Sequence, residues 1–172
     1  MHADIEQILE LVAGATANLP VERMDVHRPG KWSIAQILEH LEKTFSSTAH
    51  ILNRCVEHQQ TKAKPATFGQ RVGAWVVVDL GHFPSGRRSP DVALPTGMPA
   101  ADVMAALTTS LHRLDNAAAL AEGMFGLRAK LANHPVLGAF NVRQWRRFHL
   151  IHTRHHMKQI VALRNGTEQY SG

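Results

Sequence analysis

Four histidines fall within eight positions of one short stretch of the chain. The stretch RQWRRFHLIHTRHHMKQI, residues 143–160, contains His149, His152, His155 and His156. Residues four apart lie on one face of a helix, so the side chains of His152 and His156 would stack one turn apart. This spacing lets two imidazole nitrogens reach one ion at about 2.0–2.1 Å, the distance that zinc requires. The stretch therefore predicts a metal site, with core packing and a solvated basic face as the alternatives.

The same stretch has an amphipathic pattern that extends into the histidines. Its apolar positions at helical spacing are Val142, Trp145, Phe148, Ile160 and Leu163. Three histidines continue this stripe, namely His149, His152 and His156, whereas the basic residues Arg146, Arg147, Arg154 and Lys158 are expected to point elsewhere. An imidazole that faces other helices needs a partner, because a buried polar group without one costs free energy.

A third candidate ligand lies far away in the sequence. In SIAQILEHLEKTF, His40 lies beside Ile37 and Leu41 at the edge of an apolar stripe. Taken alone, His40 would be interpreted as a hydrogen-bonded histidine at the core boundary, but a facing histidine pair makes it a candidate ligand. Thr153 follows His152, so the pair does not match the H-E-x-x-H motif and zinc-protease chemistry is disfavoured.

Four helical segments must position these residues. Apolar side chains recur at helical spacing in residues 5–15, 34–52, 99–120 and 141–165. Ser33 followed by Gln36, and Asn141 followed by Gln144, are capping-box patterns that predict two helix starts. Asn165-Gly166 is a natural stop. The pattern predicts an all-α fold, an up-and-down four-helix bundle with a long connection between the second and third helices.

The long connection reads FGQRVGAWVVVDLGHFPSGRRSPDVALPTG. Its first half fits either a helix or a strand, since periodicity cannot distinguish the two in so short an apolar run. Its second half is rich in proline and is expected to be an irregular loop. A long ordered loop in a helical protein is often a lid or a wall of a site.

Composition limits the class of protein. The 172 residues suit a single domain, residues 1–172, and 44 % hydrophobic with 19 % charged residues is ordinary for a globular protein. No apolar run approaches the roughly 20 residues that span a bilayer, and no signal peptide is expected from the acidic N-terminus. The single Cys55 suits a reducing cytoplasm. A scattered net charge of +5, with no groove-reading motif, does not favour nucleic-acid binding.

Two segments together resemble a known family. KWSIAQILEHL, followed after a long interval by NHPVLGAFNVRQWRRFHLIHTRHHMKQI, resembles the DinB-like superfamily of bacterial metal-binding four-helix bundles. The most similar subgroup is one of unknown function with an HP-x-x-G element before the last helix, matched here by His134, Pro135 and Gly138. FPSGRRSP is similar to the central loop of that subgroup. The resemblance extends over nearly the whole chain.

The resemblance implies that His40, His152 and His156 bind one divalent metal ion and leave its other positions open to water or substrate. Zinc and nickel are the leading candidates, with iron and manganese also open. His155 is expected in a supporting or surface position, and Gln159 could support the site through hydrogen bonds. The roles of His149 and His134, as pocket or purely structural residues, stay open at this point.

Several other residues are weaker candidates for the site. His112 on the third helix could approach the metal, whereas Cys55 would lie about 22 Å from His40 along a straight helix and is not expected to bind it. The tryptophans are expected to be core or interface residues: Trp32, Trp75 and Trp145.

Characterised DinB-like proteins include metal-dependent transferases and isomerases that use low-molecular-weight thiols such as mycothiol or bacillithiol. The resemblance therefore implies an enzyme with a small-molecule substrate and a thiol cosubstrate, with a homodimer as its assembly. Arg87 and Arg88 could attract a carboxylate of such a thiol, although a solvated pair on the loop is the favoured interpretation. The alternatives are a metal-dependent hydrolase and a non-enzymatic metal-binding protein linked to stress.

Overall fold

Helices make up most of the computed structural model, which describes residues 1–84 and 89–166. The four long ones are α1 (Ala3–Thr16), α3 (Ile34–Glu57), α5 (Ala100–Phe125) and α6 (Val142–Asn165), and the two short ones are α2 (Val21–Met24) and α4 (Phe68–Ala74). A π-helical turn at Trp75–Asp79 continues α4, and a 3-10 turn covers Asp91–Ala93. Two short strands, β1 (Ala132–His134) and β2 (Gly138–Phe140), precede α6.

The predicted helix boundaries at α3 and α6 are confirmed. Ser33 Oγ accepts from the backbone N–H of Gln36 at 3.2 Å, and Gln36 Oε1 accepts from that of Ser33 at 3.0 Å. Asn141 and Gln144 form the same reciprocal pair at the start of α6. Gly166, with a φ of 68°, ends α6 in the left-handed conformation that glycine adopts without strain.

The long helices pack around a continuous apolar core. The most extensive contact between two helices is that of α3 with α5, and α1 packs against α6. The largest fully buried side chains come from several of these helices, including Ile5, Ile8, Leu38, Leu41, Phe45, Leu107, Leu111, Leu114 and Leu150. Within the described ranges, no helix has both the length and the apolar character that crossing a membrane requires. The broad prediction of a helical fold class is confirmed, with the addition of a small sheet.

In the connection between α3 and α5, residues 68–79 are helical, and the described residues after them, 80–84 and 89–99, contain one 3-10 turn and are otherwise irregular. α4 and the π-helical turn show that the apolar run of this segment is helical and not a strand. Trp75 is 54 % exposed at their junction, so it is not a core residue. α5 extends to Phe125, past the predicted end near residue 120, and stops at Gly126 with a φ of 77°.

The small sheet is a feature that the helical periodicity of the sequence did not predict. β1 and β2 pair antiparallel, with Ala132 opposite Phe140 and His134 opposite Gly138. His134 Nδ1 accepts hydrogen bonds from the backbone N–H groups of Val136 and Leu137, both at 3.1 Å. The HP-x-x-G element is therefore the turn of a hairpin, closed by its own histidine.

Gly138 is confined by both its backbone and its neighbours. Its φ is 77°, and a Cβ built there would lie 2.8 Å from the Cβ of Ala66. We expect Gly138→Ala to lower the free energy of unfolding by about 2–4 kcal/mol, because strain at positive φ and overpacking add together. Urea denaturation followed by circular dichroism measures this loss.

Gly126 supplies a matched control for that substitution. Its φ is also 77°, but no atom lies within 4 Å of a Cβ built there. Gly126→Ala should therefore lower the free energy of unfolding only through backbone strain at positive φ, by about 1 kcal/mol. Equal losses for the two variants would contradict the close contact between Gly138 and Ala66.

Candidate metal centre

Three histidines from two helices meet in the interior. His40 on α3 and His152 and His156 on α6 are 2 %, 5 % and 6 % exposed. His152 Nε2 lies 3.2 Å from His40 Nε2 and 3.0 Å from His156 Nε2. Ligands at about 2.05 Å in a tetrahedral zinc site are about 3.3 Å apart, so these spacings approach those of a loaded site. The three residues lie close enough to hold one metal ion.

The outer nitrogens of two of these rings are fixed by hydrogen bonds. His40 Nδ1 donates to the carbonyl oxygen of Ala93 at 2.8 Å, and His156 Nδ1 donates to Gln159 Oε1 at 2.7 Å. A carbonyl oxygen can only accept, so both Nδ1 atoms carry the proton and both Nε2 atoms present a lone pair. A hydrogen bond to the nitrogen that faces away from a metal orients a histidine ligand toward that metal.

The hydrogen-bonding capacity of the cluster does not balance without a cation. Nε2 of His40 and Nε2 of His156 are both acceptors directed at Nε2 of His152, which carries at most one proton. The Nδ1 of His152 is buried and has no hydrogen-bond partner among the described residues. A divalent cation would accept all three Nε2 lone pairs at once, so the donor set fits a metal ion.

A proton does not easily take the place of a metal ion among these three rings, because their burial disfavours the charged form. Desolvation, with the nearby His156 and His40 adding to it, lowers the pKa of His152 well below its usual range. Desolvation and the neighbouring His40 also lower the pKa of His156 to about 3, and burial lowers the pKa of His40. The rings are therefore neutral at pH 7, the form that binds metals.

A buried carboxylate holds the loop that contacts His40. Glu39 is 0 % exposed, and its Oε1 accepts from the backbone N–H and the hydroxyl of Thr96 at 2.8 and 2.7 Å. Its Oε2 accepts from the N–H groups of Gly97 and Met98, both at 2.9 Å. Burial alone would raise the pKa of Glu39, but these hydrogen bonds outweigh it and lower the pKa to about 2. The loop is thereby fixed next to the carbonyl of Ala93.

Sequence reasoning missed Glu39. It lies between Leu38 and His40 at the edge of the α3 stripe, which is a position where a solvated glutamate is common. Its partners lie more than fifty residues away in a proline-rich connection, so no local pattern points to them. Lys43, one turn later, adds a hydrogen bond to the carbonyl of Leu94 at 2.8 Å and an ion pair with Glu39 at 3.2 Å.

A cavity of about 850 Å³ opens beside the three histidines and is lined by all of them. Its walls are mostly apolar. Phe83 and Phe148 stack on the ring of His152 at centroid distances of 5.1 and 5.3 Å, and Trp32 contacts His40 at 5.2 Å. This volume is typical of a small-molecule site, and imidazole nitrogens at its wall could act on a bound molecule.

The structure assigns positions to the other candidate histidines. His149 lines the cavity, is completely buried, and forms a 3.0 Å hydrogen bond through Nε2 with the hydroxyl of Thr48. His134 also lines the cavity while it closes the hairpin turn. His155 is half-buried and accepts from Gln159 Nε2 at 3.3 Å, which agrees with the predicted supporting positions of His155 and Gln159.

Two interpretations of the sequence were wrong. His112 is exposed on α5 and does not line the cavity, so it is not a candidate ligand. Arg146, expected to point away from the face that contacts the other helices, is instead 5 % exposed and forms an ion pair with Glu122 of α5. An arginine can be buried in this way because a carboxylate of the neighbouring helix compensates its charge.

The remaining predicted positions are of less consequence for the site. Cys55 is buried near the hairpin, where its Sγ contacts the carbonyl oxygen of Leu131 at 3.5 Å, and it is not part of the histidine cluster. Arg87 and Arg88 lie outside the described residues.

Comparison with known proteins identifies a family. A family model described as "Protein of unknown function (DUF1569)" matches residues 6–162, a range that includes all three clustered histidines. No curated protein and no solved structure gives a significant match. The match extends over most of the 172 residues, and the chain therefore belongs to the DUF1569 family.

Proposed function

We propose that this chain is a metal-dependent enzyme of the DinB-like superfamily, a four-helix bundle that binds one divalent ion through His40, His152 and His156. In this proposal it uses the ion to activate a low-molecular-weight thiol for transfer to, or isomerisation of, a small molecule. The observation that carries the proposal is the convergence of three neutral imidazoles at the wall of a cavity large enough for such a molecule. Zinc and nickel are the leading ions, because imidazole suits both.

A cation in this position would favour the thiolate form of a thiol at neutral pH, and the thiolate is the nucleophilic form. The protein contributes the rest of the site. Ala93 holds the ring of His40 in one tautomer and Gln159 does the same for His156, and the rings of Phe83 and Phe148 keep water away from one side of His152. The cavity then orients the second reactant.

The geometry favours this reaction class over the two alternatives from the sequence. Metalloproteases of the H-E-x-x-H type use a glutamate as the general base, but no Asp or Glu of the described residues lines the cavity, and the oxygens of Glu39 are already occupied. A purely structural zinc ion is enclosed by four protein ligands, whereas the described residues bring three together.

Cobalt-loaded protein offers a direct test. Addition of glutathione or cysteine should produce the ultraviolet absorption of a thiolate bound to cobalt, whereas serine, the alcohol analogue of cysteine, should not. With 1-chloro-2,4-dinitrobenzene as the electrophile, the sulfur–carbon bond forms, chloride leaves and the thiol proton passes to solvent. We expect wild-type protein incubated with cobalt to form product faster than the uncatalysed reaction of the thiol with this electrophile, and His152→Ala incubated with cobalt in the same way to show only the uncatalysed rate. Failure of every thiol tested, mycothiol and bacillithiol included, to perturb the cobalt spectrum would contradict the proposal.

The homodimer stays a prediction, since neither the fold nor the family match tests it. Sedimentation equilibrium of the full chain would decide it.

A further inference from the structure

The charged residues that line the cavity all have the same sign. Among the described residues, its lining includes Arg28, Lys31 and Lys43 but no aspartate or glutamate. A wall of this kind attracts anions, because low-dielectric surroundings strengthen the field of uncompensated cations. Lys43 is compensated by Glu39 and by the carbonyl of Leu94, so the free positive charge belongs to the other two.

Arg28 and Lys31 are presented by one tight turn. The backbone N–H of Lys31 donates to the carbonyl of Arg28 at 3.1 Å, and Gly30 between them has a φ of 71°. In the turn formed by residues 28–31, proline is second and glycine is third. A type II turn commonly has proline in the second position and requires a positive φ in the third, which glycine adopts without strain. The turn brings the two cationic residues to the same part of the cavity lining.

Neither cation of the turn forms an ion pair with a carboxylate of residues 1–84 or 89–166. One guanidinium nitrogen of Arg28 donates to the backbone carbonyl of Leu163 at 3.4 Å, which steadies the side chain against α6 without removing its charge. The other nitrogens of the guanidinium group are available to a ligand.

The turn is directly connected to the histidine cluster. Trp32 follows Lys31 in the chain, lines the same cavity and contacts the ring of His40 at a centroid distance of 5.2 Å. One aromatic side chain therefore links the turn to the cluster, and an anion on the turn would share the cavity with a group bound at the histidines. Phe83 and Phe148 supply an apolar surface beside the same cluster.

We infer that the cavity takes a small molecule with an apolar body and a terminal anionic group, a carboxylate or a phosphate, which binds to Arg28 and Lys31. This inference extends the proposed function, since it names the class of molecule that would bind beside the metal. Arginine pairs with either anion through two parallel hydrogen bonds, and lysine adds a point charge.

Matched ligands test the inference by isothermal titration calorimetry on both zinc-loaded and metal-free protein. The three probes are 4-phenylbutyrate, 4-phenylbutyl phosphate and the uncharged 4-phenylbutanol. At least one anion should bind about tenfold more tightly than the alcohol, as expected for charge-assisted hydrogen bonds. The tighter of the two anions identifies the class. The ratio of the affinity for the anion to the affinity for the alcohol should fall as the salt concentration is raised.

Variants locate the anion. Arg28→Gln combined with Lys31→Gln should reduce the preference for the anion to about twofold or less, and Lys31→Gln alone, at an exposed position, should reduce it in part. Arg23→Gln with Lys62→Gln, which alters two exposed cations outside the cavity, should leave it unchanged. Equal binding of anion and alcohol, or a preference that survives the Arg28 and Lys31 substitutions, would overturn the inference.

The titrations of metal-free protein distinguish a failure of this inference from a failure of the proposed function. A preference that exists only in zinc-loaded protein and survives the double substitution would mean that the anion binds the metal, and it would refute the turn as its site. A preference in both forms that the double substitution removes supports the turn, whether or not the metal activates a thiol.

Discussion

Replacing His152 with alanine is expected to lower the affinity for Zn²⁺ about 10²–10³-fold, since each ligand contributes about 3–4 kcal/mol of the binding free energy. His152 is the central ring of the cluster, because both short Nε2–Nε2 distances include it. The measurement is competition with a chromophoric chelator at pH 7, with circular dichroism as the check that helix content is retained.

His149→Ala is the matched control for this variant. His149 lies one turn earlier on α6, is also buried and also lines the cavity, but it is not one of the three clustered residues. We expect it to reduce stability as a core truncation does, while zinc affinity stays within about threefold of wild type. A His152→Ala protein that still binds one equivalent of zinc as tightly as wild type would refute the proposed ligand set.

Glu39→Gln should lower the free energy of unfolding by about 3 kcal/mol at pH 7. The carboxylate accepts four hydrogen bonds from Thr96, Gly97 and Met98, and an amide would turn an NH₂ group toward some of these donors. The loop would lose its anchor, and the carbonyl of Ala93 would no longer fix the ring of His40. We therefore also expect zinc affinity to fall about tenfold or more, as for other supporting residues of metal sites.

The pH dependence of stability provides a second readout for Glu39. Its pKa of about 2 in the folded protein is below the value of about 4.5 for a free glutamate. A depressed pKa stabilises the fold above the unfolded pKa, and this contribution is lost as pH falls from about 4.5 toward 2. Wild type should therefore lose more unfolding free energy over this range than Glu39→Gln does.

The control for this position is Glu10→Gln, an exposed glutamate on α1. Its effect on the unfolding free energy should stay within about 0.5 kcal/mol. Parallel acid profiles for wild type and Glu39→Gln, measured by urea denaturation at several pH values, would show that the carboxylate does not anchor the loop.

Local sequence signals predicted the parts of this fold that depend on local contacts. The Ser33–Gln36 and Asn141–Gln144 pairs are hydrogen bonds between residues three apart, so the pattern alone specifies them. The spacing of His152 and His156 on one helix face is equally local. The position of His40 depends on which side of α3 is buried, and the apolar stripe of α3 together with the family resemblance indicates that side.

Features that depend on distant partners could not be read from the sequence. The burial of Arg146 depends on Glu122 of α5, and that of Glu39 depends on backbone amides after the 3-10 turn. The β1–β2 hairpin contains only three residues per strand, too few for an alternating pattern to emerge. Glu39 supports the loop beside the cavity and the hairpin lines it, so the histidine cluster was easier to predict than its surroundings.

X-ray absorption at the zinc edge, on protein without a histidine tag and loaded with one equivalent of Zn²⁺, tests the metal site most directly. We expect three imidazole nitrogens at about 2.0–2.1 Å and at least one further light atom, which a sulfur at about 2.3 Å replaces when glutathione is added. A shell of four protein ligands that thiol leaves unchanged, or fewer than three imidazoles, would contradict a three-histidine ion with an open position.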